Sequence, residues 1–286
     1  MTPDASATPY ERLADRGRAW GVTIDAITET QSSLIAYGSA RGEPVVLKVV
    51  KRPGDEWRAG GILAAFNGKG AVRVHQHAGG ATLLERAIPG DSLAALSAAG
   101  RDDEATDILA ATIDAMSAGA AGVAAPSAED WGRSFGAYEA SGDTRIPRQL
   151  VVEASGIFAR LCASQTKARL LHGDLQHYNV VRDHRRGWLA IDPKGVVAEA
   201  EYEIGAVLRN PFEQPALFLD QSTIERRVGR FASSLALDAE RILAWGFAQA
   251  VLSAVWDVED GLTVDADPRG LRLASVLRPM VVTDRH

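Results

Sequence analysis

The 286-residue chain carries 31 basic and 37 acidic side chains, a net charge of −6, with 46% hydrophobic and 24% charged residues. That composition excludes an intrinsically disordered chain and suits one large domain or two lobes. The negative balance argues against nucleic acid or an anionic membrane as partner, because phosphate binding needs a basic surplus, and it would tolerate or attract a cationic small molecule. One cysteine, Cys162, excludes an intramolecular disulfide framework and a cysteine-rich metal site, and an apolar helical setting makes it a core residue. Thr2-Pro3-Asp4-Ala5-Ser6 brings no basic start and no apolar stretch, and no run approaches a membrane span. The expectation is a cytoplasmic monomer acting on a small molecule.

The first third reads as β-rich. Val22 to Thr30 alternates loosely, Leu34 to Tyr37 resumes after a Ser-rich break, and Pro44 to Val50 is a strand dense in β-branched residues. Asp55 is placed to cap a helix whose apolar face is Ile62, Leu63 and Phe66, and Asn67-Gly68-Lys69-Gly70 stops it. Val72 to His75 and Thr82 to Glu85 follow as strands, and Ile88-Pro89-Gly90 punctuates the chain. Beyond it the character changes. Asp91 to Ala118 is rich in Ala and Leu and predicts two helices split near Gly100, and Gln149 to Ser164 predicts another. A strand-rich island spans Leu170 to Ile191, and helices fill the rest. A β-rich part and a helical part joined near residues 85–90 suggest two lobes with a cleft.

The chemistry concentrates in Leu170-Leu171-His172-Gly173-Asp174-Leu175-Gln176-His177-Tyr178-Asn179-Val180-Val181. Val180-Val181-Arg182, the turn Asp183-His184-Arg185-Arg186-Gly187 and Trp188-Leu189-Ala190-Ile191 form a β-hairpin. Pairing Arg182 with Leu189 sets Asn179 opposite Asp192, where amide and carboxylate oxygens make a hard-oxygen site suited to Mg2+. Asp174 lies at the same end, placed to orient a hydroxyl and accept its proton in phosphoryl transfer. Lys48, mid-strand, fits the phosphate-binding role, with Glu56 as the nearest partner for its charge. Any one of these residues alone would more plainly brace a turn; the set points to chemistry.

These residues resemble the aminoglycoside O-phosphotransferase branch of the protein-kinase-like fold, which carries His-Gly-Asp, four residues, Asn, and an Asp after the hairpin. Gly173 and Pro193 stand where a protein kinase would show Arg and Phe, which implies a small-molecule kinase without activation-loop control. Trp188 to Gly195 and Val255 to Thr263, with Asn67 to Arg73 and Leu83 to Arg86, are similar to the streptomycin 6-phosphotransferase and hydroxyurea phosphotransferase group. The resemblance implies an α+β bilobal fold, with residues 1–88 a nucleotide-binding lobe, a hinge near 85–90, and residues 89–286 a helical lobe holding the catalytic loop and substrate site. It implies ATP and Mg2+ as cofactors, Lys48 on the phosphates, Glu85 to Ala87 as the adenine-binding hinge, Asn179 and Asp192 on the metal, and Asp174 as base. It departs from the family in two places. No Gly-rich loop stands between the first strands; Glu29-Thr30-Gln31-Ser32-Ser33 occupies its place, so backbone or hydroxyl donors such as Ser32 and Ser33 would cradle the phosphates. Lys48 and Glu56 are also closer in sequence than the usual kinase pair.

The acceptor side is read from the long C-terminal helix. Asp238 caps it, Trp245, Leu252 and Trp256 recur on one face, and Gly261 stops it. Asp257, Glu259 and Asp260 crowd its last turn, where acids oppose the helix macrodipole by about 0.3–1 kcal/mol each. A cationic acceptor would give them a purpose: carboxylates for streptomycin's guanidinium groups and Trp256 as a stacking face. A solvated helix end facing Arg269 or Arg272 is the competing account. Glu199, Glu201 and Glu203 are a second acidic run, with Glu199 a candidate substrate contact, though alternation also suits a solvated strand edge. The expected function is phosphorylation of an aminoglycoside, foremost streptomycin at its 6-hydroxyl, giving resistance. The alternatives are a phosphotransferase for hydroxyurea or another metabolite, and a nucleotide-binding protein without turnover.

Overall fold

The computed structural model describes residues 7–117, 123–262 and 269–281. In chain order it runs α1 (Pro9–Ala19), β1 (Val22–Glu29), β2 (Ser33–Ala40), β3 (Glu43–Val50), α2 (Ala59–Ala65), β4 (Val74–Ala78), β5 (Ala81–Glu85) and β6 (Pro89–Ser92). Then come α3 (Ala94–Ala98), α4 (Asp102–Ser117), α5 (Ala128–Ser141), α6 (Arg148–Ala163), β7 (Arg169–Leu171), β8 (Val180–Asp183), β9 (Gly187–Ala190) and β10 (Val196–Ala198). The helices α7 (Ala200–Leu208), α8 (Pro215–Phe218), α9 (Gln221–Leu235), α10 (Ala239–Glu259) and α11 (Arg269–Leu277) finish it. The chain divides into two units: Met1–Ser92 with Thr112–Val123 and Asn179–Gly195, and Leu93–Ala111 with Ala124–Tyr178 and Val196–His286. Among the described residues no helix is long and apolar enough to cross a membrane.

The first unit is built on an antiparallel sheet of order β1-β2-β3-β5-β4. Successive side chains of a strand point to opposite faces. Val45, Leu47 and Val49 of β3 therefore bury against α1 with Leu13, Leu34, Ala36 and Leu83. Val46 and Lys48 take the opposite face. Thr8 and Glu11 form a reciprocal capping box at the start of α1, with Pro9 in its first turn. The sequence reading missed this helix. Asp55 is also not the helix cap expected of it: residues Asp55–Arg58 form a 3-10 turn entered from Gly54 without a side-chain cap, and α2 starts only at Ala59.

A second sheet, of order β6-β8-β9, carries the hairpin into the same unit. The expected boundary at residue 88 therefore differs from the observed division. β6 pairs with β8, and Ala71 bridges Ala190, so residues 179–195 associate with the first unit although they follow the helical segments in sequence. The hairpin register is also one residue off the expected one. Arg182 pairs with Trp188 and Val180 with Ala190, so Asn179 meets Ile191, whose N–H donates to the Asn179 carbonyl at 2.9 Å. The turn fixes this. Its three residues His184 to Arg186 are held by the Asp183 carboxylate, which accepts from the Arg185 and Arg186 N–H groups at 2.9 Å each, and Gly187 supplies the left-handed residue at φ 78°.

The second unit is helical apart from the two-stranded β7–β10 ladder. α10 is its spine, buried almost continuously from Trp245 to Val255. Trp245 lies edge-on to Phe158 and Tyr202 at 5.0 and 4.9 Å between ring centroids. α11 crosses α10 at Gly270, where a Cβ would stand 2.4 Å from the Ala250 carbonyl oxygen. α10 ends in a Schellman motif, with Leu262 N–H on the Asp257 carbonyl, Gly261 N–H on that of Val258, and Gly261 at φ 74°. The helix end expected from Gly261 is thus observed.

Candidate active site

The first unit holds a cavity of about 240 Å3 on the β3 face opposite α1. Ile35, Val46, Val72, Leu84, Val181 and Ile191 give it apolar walls, Glu85 to Ala87 form one edge, and Lys48 and Asp192 supply charge. A flat apolar ring would fit between these walls with polar groups at the edges. Glu85 takes part through its backbone. Its carboxylate is already occupied by the Arg186 guanidinium and by the Arg73 N–H at 2.7 Å. Arg186 also donates to the carbonyls of Gly68 and Ala71, so this arginine from the hairpin turn locks the edge of the cavity.

Lys48 makes an ion pair with Asp192 and lies 3.4 Å from the Glu56 carboxylate. The two groups expected to handle phosphate and metal therefore hold each other. Asp192 has a left-handed backbone (φ 60°), uncommon for a residue with a side chain, and its carboxylate stays 40% exposed. Ser33 is buried, with its hydroxyl 3.4 Å from Glu56, and Ser32 is exposed; neither lines the cavity. The tip that replaces a Gly-rich loop is tied down by Lys51, whose ammonium reaches the Thr30 carbonyl at 2.5 Å and Glu29 at 2.6 Å.

The residues present suit Mg2+. Asn179 and Asp192 offer an amide and a carboxylate oxygen, and among the described residues no group of three or more His, Cys, Asp or Glu forms a metal cage. Mg2+ takes one or two protein oxygens and completes its shell with water and phosphate.

In the second unit the loop bearing Asp174 is held from beneath by Glu203. That carboxylate, 2% exposed, accepts from the N–H groups of His172 at 2.7 Å, Gly173 at 3.0 Å and Leu175 at 3.4 Å. Burial raises its pKa, against His172 and these N–H groups, which favour the charge. The Asp174 N–H points to His172 Nδ1 at 3.3 Å, so the buried imidazole braces the loop as expected. A second buried group acts electrostatically on His177, three residues after Asp174. Arg227, fully buried, pairs bidentately with Asp102 at 2.6 and 2.9 Å and donates to the Asn210 carbonyl at 2.7 Å. Burial opposes the Asp102 charge, but Arg227 outweighs it and holds the pKa below the usual range.

Glu199 is not a substrate contact. It is 6% exposed, and its Oε1 accepts from Trp245 Nε1 at 2.5 Å and from Arg241 at 2.5 and 2.9 Å. The acidic run expected as a strand edge is the entry to α7, and Glu203 faces inward because helical periodicity replaces alternation. At the end of α10 the acids divide. Glu259 accepts from Ser134 Oγ at 3.1 Å, and Trp256 Nε1 donates to the same oxygen at 3.2 Å while its ring lies edge-on to Trp131 at 5.5 Å. Asp260 is the exposed C-cap. Asp257 is half-buried, and with Asp174 it acts on the Arg209 guanidinium, whose pKa burial lowers and whose charge these two carboxylates support. Asp257 and Asp174 thus both favour the charge of the half-buried Arg209. Cys162 is buried and its thiol is pushed up to about 12 by that burial, which makes it inert.

A family model described as "Aminoglycoside/hydroxyurea antibiotic resistance kinase" matches residues 19–261. The chain belongs to that family. Its members are small-molecule kinases, as the resemblance in sequence implied. A streptomycin 3''-kinase from Klebsiella pneumoniae is 32% identical over 85% of this chain and 91% of its own. A streptomycin 6-kinase from Streptomyces glaucescens is 28% identical over 96% of both, and a hydroxyurea phosphotransferase from Kitasatospora aureofaciens is 30% identical over 93% and 78%. The fold matches the choline kinase LicA from Streptococcus pneumoniae (TM-score 0.65, 15% identity, 94% and 99% covered). It equally matches the aminoglycoside phosphotransferase APH(4)-Ia in a ternary complex with ADP and hygromycin B (TM-score 0.63, 15% identity, 95% and 99% covered). The kinase-like fold is therefore established for the chain.

Within this kinase, sequence reasoning missed Glu203, Arg209 and Arg186 as organisers of the site. Glu203 lies in an apolar helix and Arg209 caps its end, and a charge in such a pattern is a signal that it serves a buried partner. Arg186 gave no local signal, because its partner Glu85 is 101 residues away.

Proposed function

We propose that the chain transfers the γ-phosphoryl group of ATP to a hydroxyl of streptomycin, at the 6-position, and so confers resistance. The observation that carries the acceptor half is that Asp257, from the acidic end of α10, and Asp174, from the catalytic loop, share Arg209. Two carboxylates thus act on one guanidinium, which supports a site for a cationic alcohol. Asp174 orients the acceptor hydroxyl and takes its proton as the oxygen attacks phosphorus. The adenine ring lies between the apolar walls of the 240 Å3 cavity, against the backbone of Glu85 to Ala87. Lys48 exchanges Asp192 for phosphate oxygens, and Asn179 and Asp192 would hold Mg2+. The metal, when bound, neutralises charge on the phosphates.

The relatives support streptomycin but divide over the hydroxyl. Two 6-kinases align over 96% of this chain and a 3''-kinase over 85%. A coupled ADP-release assay over streptomycin, other aminoglycosides and hydroxyurea, followed by phosphorus NMR of the product, tests the reading. ADP release with streptomycin and a phosphate on the 6-oxygen is the expected result. A 3''-phosphate would correct the position alone. Turnover only with hydroxyurea or another acceptor would replace the substrate, and nucleotide binding without turnover on any acceptor would defeat the enzymatic reading.

A further inference from the structure

The segment following α7 carries an aromatic ring that the core does not need. Phe212 is 42% exposed, although the chain around it is firmly anchored: the fully buried Arg227 donates to the carbonyl of Asn210, two residues earlier. The ring packs on Tyr178, 4.7 Å between centroids at a 36° tilt. Tyr178 lies four residues after Asp174 and directly before Asn179, so Phe212 is coupled to the catalytic loop. Arg209, three residues before Phe212, feels both Asp174 and Asp257, and it also feels the positive charge of Arg269. The Arg269 guanidinium carbon stands 4.7 Å from the centroid of the Phe212 ring.

We propose that Phe212 is a guanidinium-binding subsite for the acceptor and that Arg269 stands in for the acceptor's guanidinium when none is bound. A guanidinium is planar and weakly hydrated, so it stacks on an aromatic face where an ammonium would keep its water. Arg269 already makes that contact, which demonstrates that the ring and its surroundings accept the group. Glu213, the residue after Phe212, acts on Tyr178 together with Arg269 and supplies a carboxylate beside the ring for the N–H donors of a guanidinium. Streptomycin carries two guanidinium groups, so the inference deepens the proposed function and rests on it for the identity of the acceptor. It also explains discrimination: an aminoglycoside bearing only ammonium groups gains less from Phe212, because an ammonium keeps more of its water.

Calorimetric titration of the full chain separates the two claims. The ligands are streptomycin, its isolated bis-guanidinylated ring, and kanamycin, which has amines but no guanidinium. Phe212→Ala should weaken both guanidinium ligands about 5- to 10-fold and kanamycin by less than about 2-fold. Phe212→Leu keeps apolar bulk without a π face and should weaken them as much, which separates loss of stacking from a packing defect. Arg269→Gln should tighten both guanidinium ligands several-fold by removing the internal competitor. Unchanged affinity in the Phe212 variants, weaker binding in Arg269→Gln, or no binding of either guanidinium ligand to the wild type would overturn the subsite. Streptomycin phosphorylated without dependence on Phe212 would refute the subsite and leave the function standing. A guanidinylated ring bound through Phe212 by a chain that does not phosphorylate streptomycin would do the reverse.

Discussion

The two units solve the problem of fixing charged groups in different ways. In the first, the working charges face one another: Lys48 holds Asp192 and Glu56, and only backbone and apolar walls complete the cavity. In the second, the loop bearing Asp174 is set by buried groups. Glu203 holds the loop through three backbone N–H groups, and the Asp102–Arg227 pair acts electrostatically on His177. The first arrangement can exchange partners, because Asp192 is 40% exposed: a phosphate can take its place on Lys48, and a metal ion can take the place of Lys48 on Asp192. The second cannot, because its carboxylates and arginine are buried and any lost partner leaves an uncompensated charge. Binding calls for the first design, and positioning calls for the second.

Substitutions in the second unit should therefore damage transfer or folding while sparing nucleotide affinity. Asp174→Ala should have the largest effect, lowering kcat by about 10^3- to 10^4-fold, near the upper end for a lost general base, with nucleotide affinity unchanged. Weakened nucleotide binding in that variant would show that the two sites are not separable in this way. Asp102→Asn comes next. It leaves the Arg227 charge buried and unpaired, and urea titration should show a stability loss of about 3–5 kcal/mol. A loss below about 1 kcal/mol would mean that Arg227 reaches water. Glu203→Gln keeps one acceptor oxygen but loses symmetry and charge. A loop shifted by even about 1 Å should cost roughly 100-fold in kcat with the KM for nucleotide unaltered, as steady-state kinetics would show.

The same division explains what the sequence made legible. The residues proposed to meet ligands stand close together in sequence around one hairpin, and His172-Gly173-Asp174, Asn179 and Asp192 were readable for that reason. β3 was readable too, because β-branched residues and period-two burial agree there. Two helices were overlooked although the signals were present: Thr8-Pro9 with Glu11, and Ser127 with Asp130, are capping boxes. The hairpin register escaped by one residue, since the three-residue turn depends on Asp183 and a left-handed Gly187 rather than on the apolar pattern. Glu199 was misplaced because an acid in sequence does not disclose whether an arginine 42 residues later will bury it. The supporting pairs are long-range in sequence, and only the fold brings them together.

The mildest test concerns His177, which lies in the same buried layer. It is fully buried, and among the described residues neither ring nitrogen has a hydrogen-bond partner. Burial, helped by Arg227 and opposed by Asp102, pushes its pKa down to about 3 from 6.5. Between those values the unfolded chain takes up a proton that the folded chain refuses, so stability falls as the pH drops below 6.5. The slope is about 1.4 kcal/mol per pH unit, or about 2 kcal/mol between pH 6.5 and pH 5. Asp102 does not interfere in this range, because its pKa is lowered from 3.8 and its stabilisation is lost only below that. Glu203 works in the opposite direction: its raised pKa lets the folded state bind a proton first, which adds stability on acidification. The wild-type slope alone therefore mixes two groups. Comparison with His177→Leu, which removes no hydrogen bond, isolates the histidine. Urea unfolding at pH 6.5 and pH 5 should show the wild type losing about 2 kcal/mol more than the variant. Equal losses would mean that the folded chain protonates His177 freely, and that its surroundings are open to water.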